Sequence, residues 1–116
     1  MDNEKVFAMS FAKVYPMLIA KAERKGRTRD EVLEVTSLLT GYTPGQIEAL
    51  LESDMTYGDF FRQAPALNPN RTLIKGSICG VKVELIEDPL MQNIRYLDKL
   101  VDELAKGKAM EKILRK

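Results

Sequence analysis

The chain reads as an all-α domain: a small bundle of about five or six helices, with short, steeply crossing N-terminal helices and one long C-terminal helix. Three observations predict it. Helix-start signals recur, at Thr28 with Glu31, at Thr43-Pro44, at Asn68-Pro69 and at Asp88-Pro89. The apolar residues behind them fall mostly at helical spacing. With 116 residues, 45% hydrophobic and 30% charged, the chain suits a single domain, residues 1–116, around one core.

Phe11, Val14, Tyr15, Leu18, Ile19 and Ala22 mark one face of a first helix from about Phe11 to Lys25, ended by Gly26. Pro16 interrupts it, so either the continuous helix starts near Lys13 or it kinks. A second helix spans Arg29 to Thr40, capped by Thr28 and Glu31, with Val32, Val35, Leu38 and Leu39 inward and Gly41 as its stop. Thr43-Pro44 starts a short third helix burying Ile47, Leu50 and Leu51. Thr56 and Asp59 start another, carrying Tyr57, Phe60, Phe61 and Ala64 up to Pro65.

The segment 72–86 has two readings. Ile74, Ile78, Val81 and Leu85 make a tight helical stripe behind the Asn68-Pro69 start, which favours a helix. In that helix Gly76 and Gly80 would form a small-residue face for close helix packing. The alternative is α+β, with a small hairpin within 72–86, because Val81, Val83 and Leu85 alternate with Lys82 and Glu84 and the glycines disfavour a helix. The last long helix is capped by Asp88 and started by Pro89. Its seam is Leu90, Ile94, Leu97, Val101 and Leu104, widened by Tyr96 and Leu100. Gly107 ends it, and Ala109 to Leu114 add a final turn or two.

Several chemistries are excluded. The chain has no histidine and one cysteine, so neither a Ser-His-Asp or Cys-His system nor a His/Cys zinc set can form within it. A metal would have to be hard and carboxylate-bound. Neither a Walker-type nor a dinucleotide-type glycine loop occurs. Ser77 stands in G-S-x-x-G, not in the G-x-S-x-G of a nucleophile elbow. Cys79, between Ile78 and Gly80-Val81, reads as a buried, inert thiol. No apolar run approaches the ~18 residues of a membrane span. The lone cysteine and the absence of a secretory pattern point to the cytoplasm.

Charge nearly balances, at 18 Lys+Arg against 17 Asp+Glu, which gives no global reason to seek nucleic acid. The basic run 21–29, with Lys21, Arg24, Lys25, Arg27 and Arg29, is either a nucleic-acid contact or, the favoured reading, a solvated helix end. The two helices around Gly41 resemble a helix-turn-helix only superficially. The would-be recognition helix holds Glu48, Glu52 and Asp54 and no Lys or Arg. Asn68, Asn70, Arg71 and Lys75 cluster at one helix start; they are either caps and turn residues, the favoured reading, or a candidate anion or ligand site. The acids Glu84, Glu87 and Asp88 could bind a hard cation, although Asp88 is more simply the cap. The basic tail after Ala105 reads as a solvated end.

The stretches 14–28 (VYPMLIAKAERKGRT), 38–42 (LLTGY), 60–65 (FFRQAP), 68–71 (NPNR) and 78–115 (ICGVKVELIEDPLMQNIRYLDKLVDELAKGKAMEKILR) resemble, as a set, a family of small bacterial proteins. That family is known as a domain of unknown function, number two thousand two hundred in its series. The resemblance covers nearly the whole chain. It implies a small, mainly helical protein, and no activity, cofactor or partner.

The expected function is therefore a small non-enzymatic helical interaction module of a bacterial cytoplasm, without a cofactor. A homodimer or protein partner would meet it on the wide face of the last helix, at Tyr96 and Leu100. The alternatives are a small enzyme using carboxylate, Arg or Lys chemistry around residues 68–88, or nucleic-acid binding through residues 21–29.

Overall fold

Asp88 and Pro89 start the helix around which the rest of the chain is arranged. In the computed structural model, which describes residues 3–78 and 80–115, this helix is α6 (Pro89–Ala105). The Asp88 carboxylate accepts the backbone N–H groups of Leu90 and Met91 at 2.9 and 3.1 Å, satisfying donors that the first helical turn leaves unpaired. Ile94, Leu97, Val101 and Leu104 are wholly buried, as the seam requires, while Leu90 is only half-buried. The preceding helices wrap α6. Among the described residues they are α1 (Asn3–Ala8), α2 (Phe11–Glu23), α3 (Arg29–Thr40), α4 (Pro44–Leu50) and α5 (Tyr57–Arg62); α7 (Met110–Leu114) follows. α2, α3, α5 and α7 all pack on α6.

This wrapping corrects one expectation. Tyr96 and Leu100 are 3% and 1% exposed, covered by the chain's own elements. A 17-residue helix presents a broad apolar face, and intramolecular neighbours cover the part of it that holds Tyr96 and Leu100. No surface at Tyr96 or Leu100 is left for a partner subunit.

Capping chemistry sets the other boundaries. Thr28 and Glu31 form the reciprocal capping box of α3, and Thr43 and Gln46 form that of α4. Thr56 accepts the N–H of Asp59 to start α5. α2 begins at Phe11, so Pro16 lies past its first turn. It is tolerated there at the loss of the hydrogen bond it would have donated to Ala12. α1 was not expected; its six residues bury only Val6 and Phe7. It rests on α5 at Gly58, where an added Cβ would stand 2.8 Å from Cβ of Phe7. A main-chain bridge, with Phe11 N–H to Met55 O and Tyr57 N–H to Met9 O, ties the α1–α2 junction to the start of α5.

Between α5 and α6 the helical reading of 72–86 gives way to the hairpin alternative. Asn68-Pro69 opens only a short 3-10 turn, Pro69–Leu73. Strands β1 (Ser77–Ile78) and β2 (Val81–Lys82) then pair antiparallel, Ser77 opposite Lys82 and Ile78 opposite Val81, and a 3-10 turn at Val83–Leu85 leads toward α6. The reason lies at the glycines. Gly76 and Gly80 adopt φ of +114° and +79°, a region closed to a right-handed helix and open to glycine. They are turn residues, not a helix-packing face. Val81 and Leu85, half of the supposed stripe, are exposed. Cys79 lies outside the described residues. The hairpin is closed by Val83 N–H to Gly76 O and by Gly76 N–H to the Glu84 carboxylate, and it is fastened to α6 by the Gln92 amide to Val83 O.

The core joins the aliphatic seam of α6 to a block of aromatic rings. Phe11 stacks on Phe60 at 4.2 Å and on Tyr15 at 5.0 Å. Tyr42 stacks on Phe60 from the other side at 4.6 Å, and Phe61 meets Phe60 edge-on. Two of the buried tyrosines pair their hydroxyls inside the protein. Tyr15 Oη lies 2.8 Å from Thr36 Oγ1, and Tyr42 Oη donates to Phe60 O at 2.7 Å.

Candidate ligand-binding cleft

A third buried tyrosine behaves differently, and it marks the site. Tyr57 is 2% exposed, and among the described residues its hydroxyl is buried without a hydrogen-bond partner. Tyr57 lines a cleft of about 1090 Å³ between the N-terminal helices, the hairpin and the start of α6. One wall carries Val6, Met9 and Val14. The hairpin segment contributes Val81 and Ile86, and α6 contributes Met91 and Ile94. The polar lining is Asn3, Glu87, Asp88, Arg95 and Asp98. An apolar cleft with a few convergent polar groups has the general make-up of a small-molecule site.

Arg95 and Asp98 occupy adjacent turns of α6 and pair at 2.9 Å, with side chains 22% and 15% exposed. Burial raises the Asp98 carboxyl above its usual range. The Arg95 hydrogen bond, the Arg95 charge and the Lys21 charge oppose that shift without cancelling it. Burial likewise carries the Tyr57 phenol well above its ordinary value, and the negative charge of Asp98 pushes it further. Tyr57 is therefore a neutral hydroxyl at any physiological pH, unsuited to act as a nucleophile. Among the described lining residues there is no Ser, Thr, Cys or Lys. The cleft has groups that can bind and orient, but covalent catalysis would have only carboxylates to work with.

The hydroxyl itself has under 1 Å² accessible. Met9 and Met91, unbranched thioethers, are among the residues that line the cleft with Tyr57.

Most residues singled out from sequence are placed elsewhere. The Asn68 side chain accepts the N–H of Asn70, and Arg71 donates to Asn68 O; both interactions shape the 3-10 turn. Asn68, Asn70 and Arg71 line one small cavity of about 10 Å³ together with Ile74, Leu100 and Arg115, whereas Lys75 is exposed and does not line it. Of the three acids, Asp88 caps α6, Glu84 holds Gly76, and only Glu87 and Asp88 reach the cleft. No group of three or more His, Cys, Asp or Glu among the described residues is placed to hold a metal ion.

The basic run 21–29 is largely engaged within the fold. Lys21 pairs with Asp102 and Arg29 with Glu48. Arg27 pairs with Glu31 and donates to the carbonyls of Leu104 and Lys108, closing the C-terminal end of α6. Among the described residues no helix is long and apolar enough to cross a membrane.

Sequence reasoning missed Tyr57, Arg95 and Asp98 as site residues. One signal was present: an Arg and an Asp three residues apart, each directly following a seam residue, Ile94 or Leu97.

The profile of a family described as an uncharacterized protein conserved in bacteria (DUF2200) matches residues 5–115. The crystal structure of an uncharacterized protein, SP1917, is similar over 99% of this chain and 93% of that one, at 56% identity and a TM-score of 0.94. No curated protein matches the chain.

Proposed function

The chain belongs to the DUF2200 family, and from its cleft we propose that it is a non-enzymatic binding module for an amphipathic organic ligand. The ligand's apolar body lies between α1, the hairpin and α6, and its polar head meets Tyr57, Arg95 and Asp98. The observation that carries this reading is the unpartnered Tyr57 hydroxyl, buried among rings whose other tyrosines are paired. A buried polar group without a partner costs on the order of 1–3 kcal/mol, and a bound ligand atom would relieve that cost. Binding is favoured over catalysis by the make-up of the lining. It is favoured over nucleic-acid recognition by the internal pairing of Lys21, Arg27 and Arg29. The cytoplasm is the compartment that suits a chain with one cysteine.

The test is a titration of isotopically labelled protein with 4-phenylbutanol, a neutral probe with an apolar body, followed by amide chemical shifts. Shifts concentrated at Val6, Tyr57, Val81, Met91 and Ile94 are expected. Shifts spread evenly over the surface, or none at millimolar probe, would exclude the cleft as a binding site.

A further inference from the structure

We infer that the head group this cleft selects is cationic: an organic ammonium or amidinium carried on an apolar body. The inference rests on the binding reading above and adds the charge of the ligand. Three carboxylates line the cleft, Glu87, Asp88 and Asp98, against the one guanidinium of Arg95. With Asp88 set aside, because its charge is answered by the N-terminus of α6, the remaining lining is still negative by one.

The Tyr57 oxygen is the second, independent element. The hydroxyl is buried with no partner among the described residues, so its oxygen is open to a ligand N–H, while the carboxylates set the sign of the head. A cationic N–H supplies that donor and faces Asp98 at the same end of the cleft. Charge at the hydroxyl agrees with this, since the influence of Asp98 there outweighs the opposing one of Arg95. A carboxylate or phosphate head would meet the same field with the wrong sign. The Arg95 guanidinium does not reverse this, because it is paired with Asp98 at 2.9 Å. The apolar walls set the other half of the specificity. A bare ammonium or metal ion would leave Val6, Met9, Val81 and Ile94 unfilled, whereas a hydrocarbon or aromatic body buries them.

The experiment uses three probes with one body and different heads: 4-phenylbutylammonium, 4-phenylbutanamide and 4-phenylbutyrate. Each is titrated into the labelled full chain at neutral pH and moderate salt. The ammonium is expected to bind at the cleft amides at least about tenfold more tightly than the carboxylate, with the amide between them. In Asp98→Asn, with folding checked by its melting curve, the preference should fall to within about twofold, since the charge that sets it is gone. Glu87→Gln removes an exposed carboxylate that the fold does not need, and it should lower the preference by about twofold even if Asp98→Asn fails to fold. Binding of the carboxylate at the cleft as tightly as the ammonium overturns the cationic assignment and leaves the binding module standing. An ammonium preference that survives in folded Asp98→Asn overturns the placement of the cationic head at Asp98. If none of the three probes moves a cleft amide, the binding reading itself fails, and this inference with it.

Discussion

Two regions of one core treat the same side chain in opposite ways. Around Phe60, Tyr15 and Tyr42 place their hydroxyls on Thr36 Oγ1 and on Phe60 O, so their burial leaves no polar atom unpaired. The Tyr15 phenol is carried up to about 12 by burial, with the Thr36 bond pulling the other way. A few ångströms on, Tyr57 stacks with Phe11 and meets Phe61 edge-on, yet its hydroxyl has no partner among the described residues. Burial raises this phenol most, and the largest charge effect on it is that of Asp98, a carboxylate that burial has made harder to ionise. The first region is built for stability alone. The second carries a polar liability of the sort that folds keep where a ligand answers it.

The largest expected effect tests whether the two regions differ in stability as well as in chemistry. Phe60 is wholly buried and touches Phe11, Tyr42 and Phe61, so Phe60→Ala should cost about 3–5 kcal/mol by loss of packing and the cavity it leaves. Met9, in the wall of the cleft, is 40% exposed, and Met9→Ala should stay within about 0.5 kcal/mol. Urea denaturation of the two variants measures both. Equal losses would mean that the cleft wall is as much a part of the folding core as the ring stack.

Next in size is the direct comparison of the hydroxyls. Tyr42→Phe deletes the donor to Phe60 O and should cost about 1–2 kcal/mol. Tyr57→Phe deletes a group with no partner and should be neutral, or stabilising by up to about 1 kcal/mol, in the ligand-free protein. Thermal melts of the pair decide it. A Tyr57→Phe variant that loses as much as Tyr42→Phe would show the hydroxyl to be paired in solution and would remove the contrast.

The ring stack was largely legible in the sequence and the cleft was not, for physical reasons. Asp88-Pro89, Thr28 with Glu31 and Thr43-Pro44 are local signals: the donor and acceptor lie within three residues, and the helices they open formed where expected. Tyr57, Phe60 and Phe61 could be read as core because helical spacing puts them on one face. Over 72–86 the favoured helix is the misreading, and the chain takes the hairpin alternative. Ile74, Ile78, Val81 and Leu85 mimic a helical stripe, and the positive φ of Gly76 and Gly80 that breaks it is a tertiary fact. α1 escaped because six residues with two apolar anchors carry no period. The cleft draws its lining from positions as far apart as Asn3 and Asp98, and no local pattern announces such an assembly. Asn68, Asn70, Arg71 and Lys75 show the reverse ambiguity: caps and turn residues share the composition of an anion site, and Asn68 does cap its turn.

The smallest expected effect sharpens the comparison through pH. Glu31, in the α3 cap, is held down to about 2, first by the hydrogen bond from Arg27 and then by the N–H of Thr28. Its folded value is below its unfolded one. Its stabilisation is therefore complete above about pH 4.5 and is lost as pH falls toward 2. Asp98, in the cleft, is shifted the other way by burial, so its ionised form weakens the fold. That handicap is present above its folded value and disappears as falling pH protonates it. Acidification from neutrality should thus relieve strain in the cleft and weaken the cap, two effects of opposite sign. Glu31→Gln should flatten the loss of stability between about pH 4.5 and 2, by an amount under ~1 kcal/mol, because exposed ion pairs contribute no more than that. Asp98→Asn should abolish the relief and leave the loss at the cap intact. Melting curves of the three proteins from neutral pH into the acid range make the comparison. If both substitutions changed the acid limb in the same direction, cap and cleft would not be the electrostatic opposites that their surroundings make them.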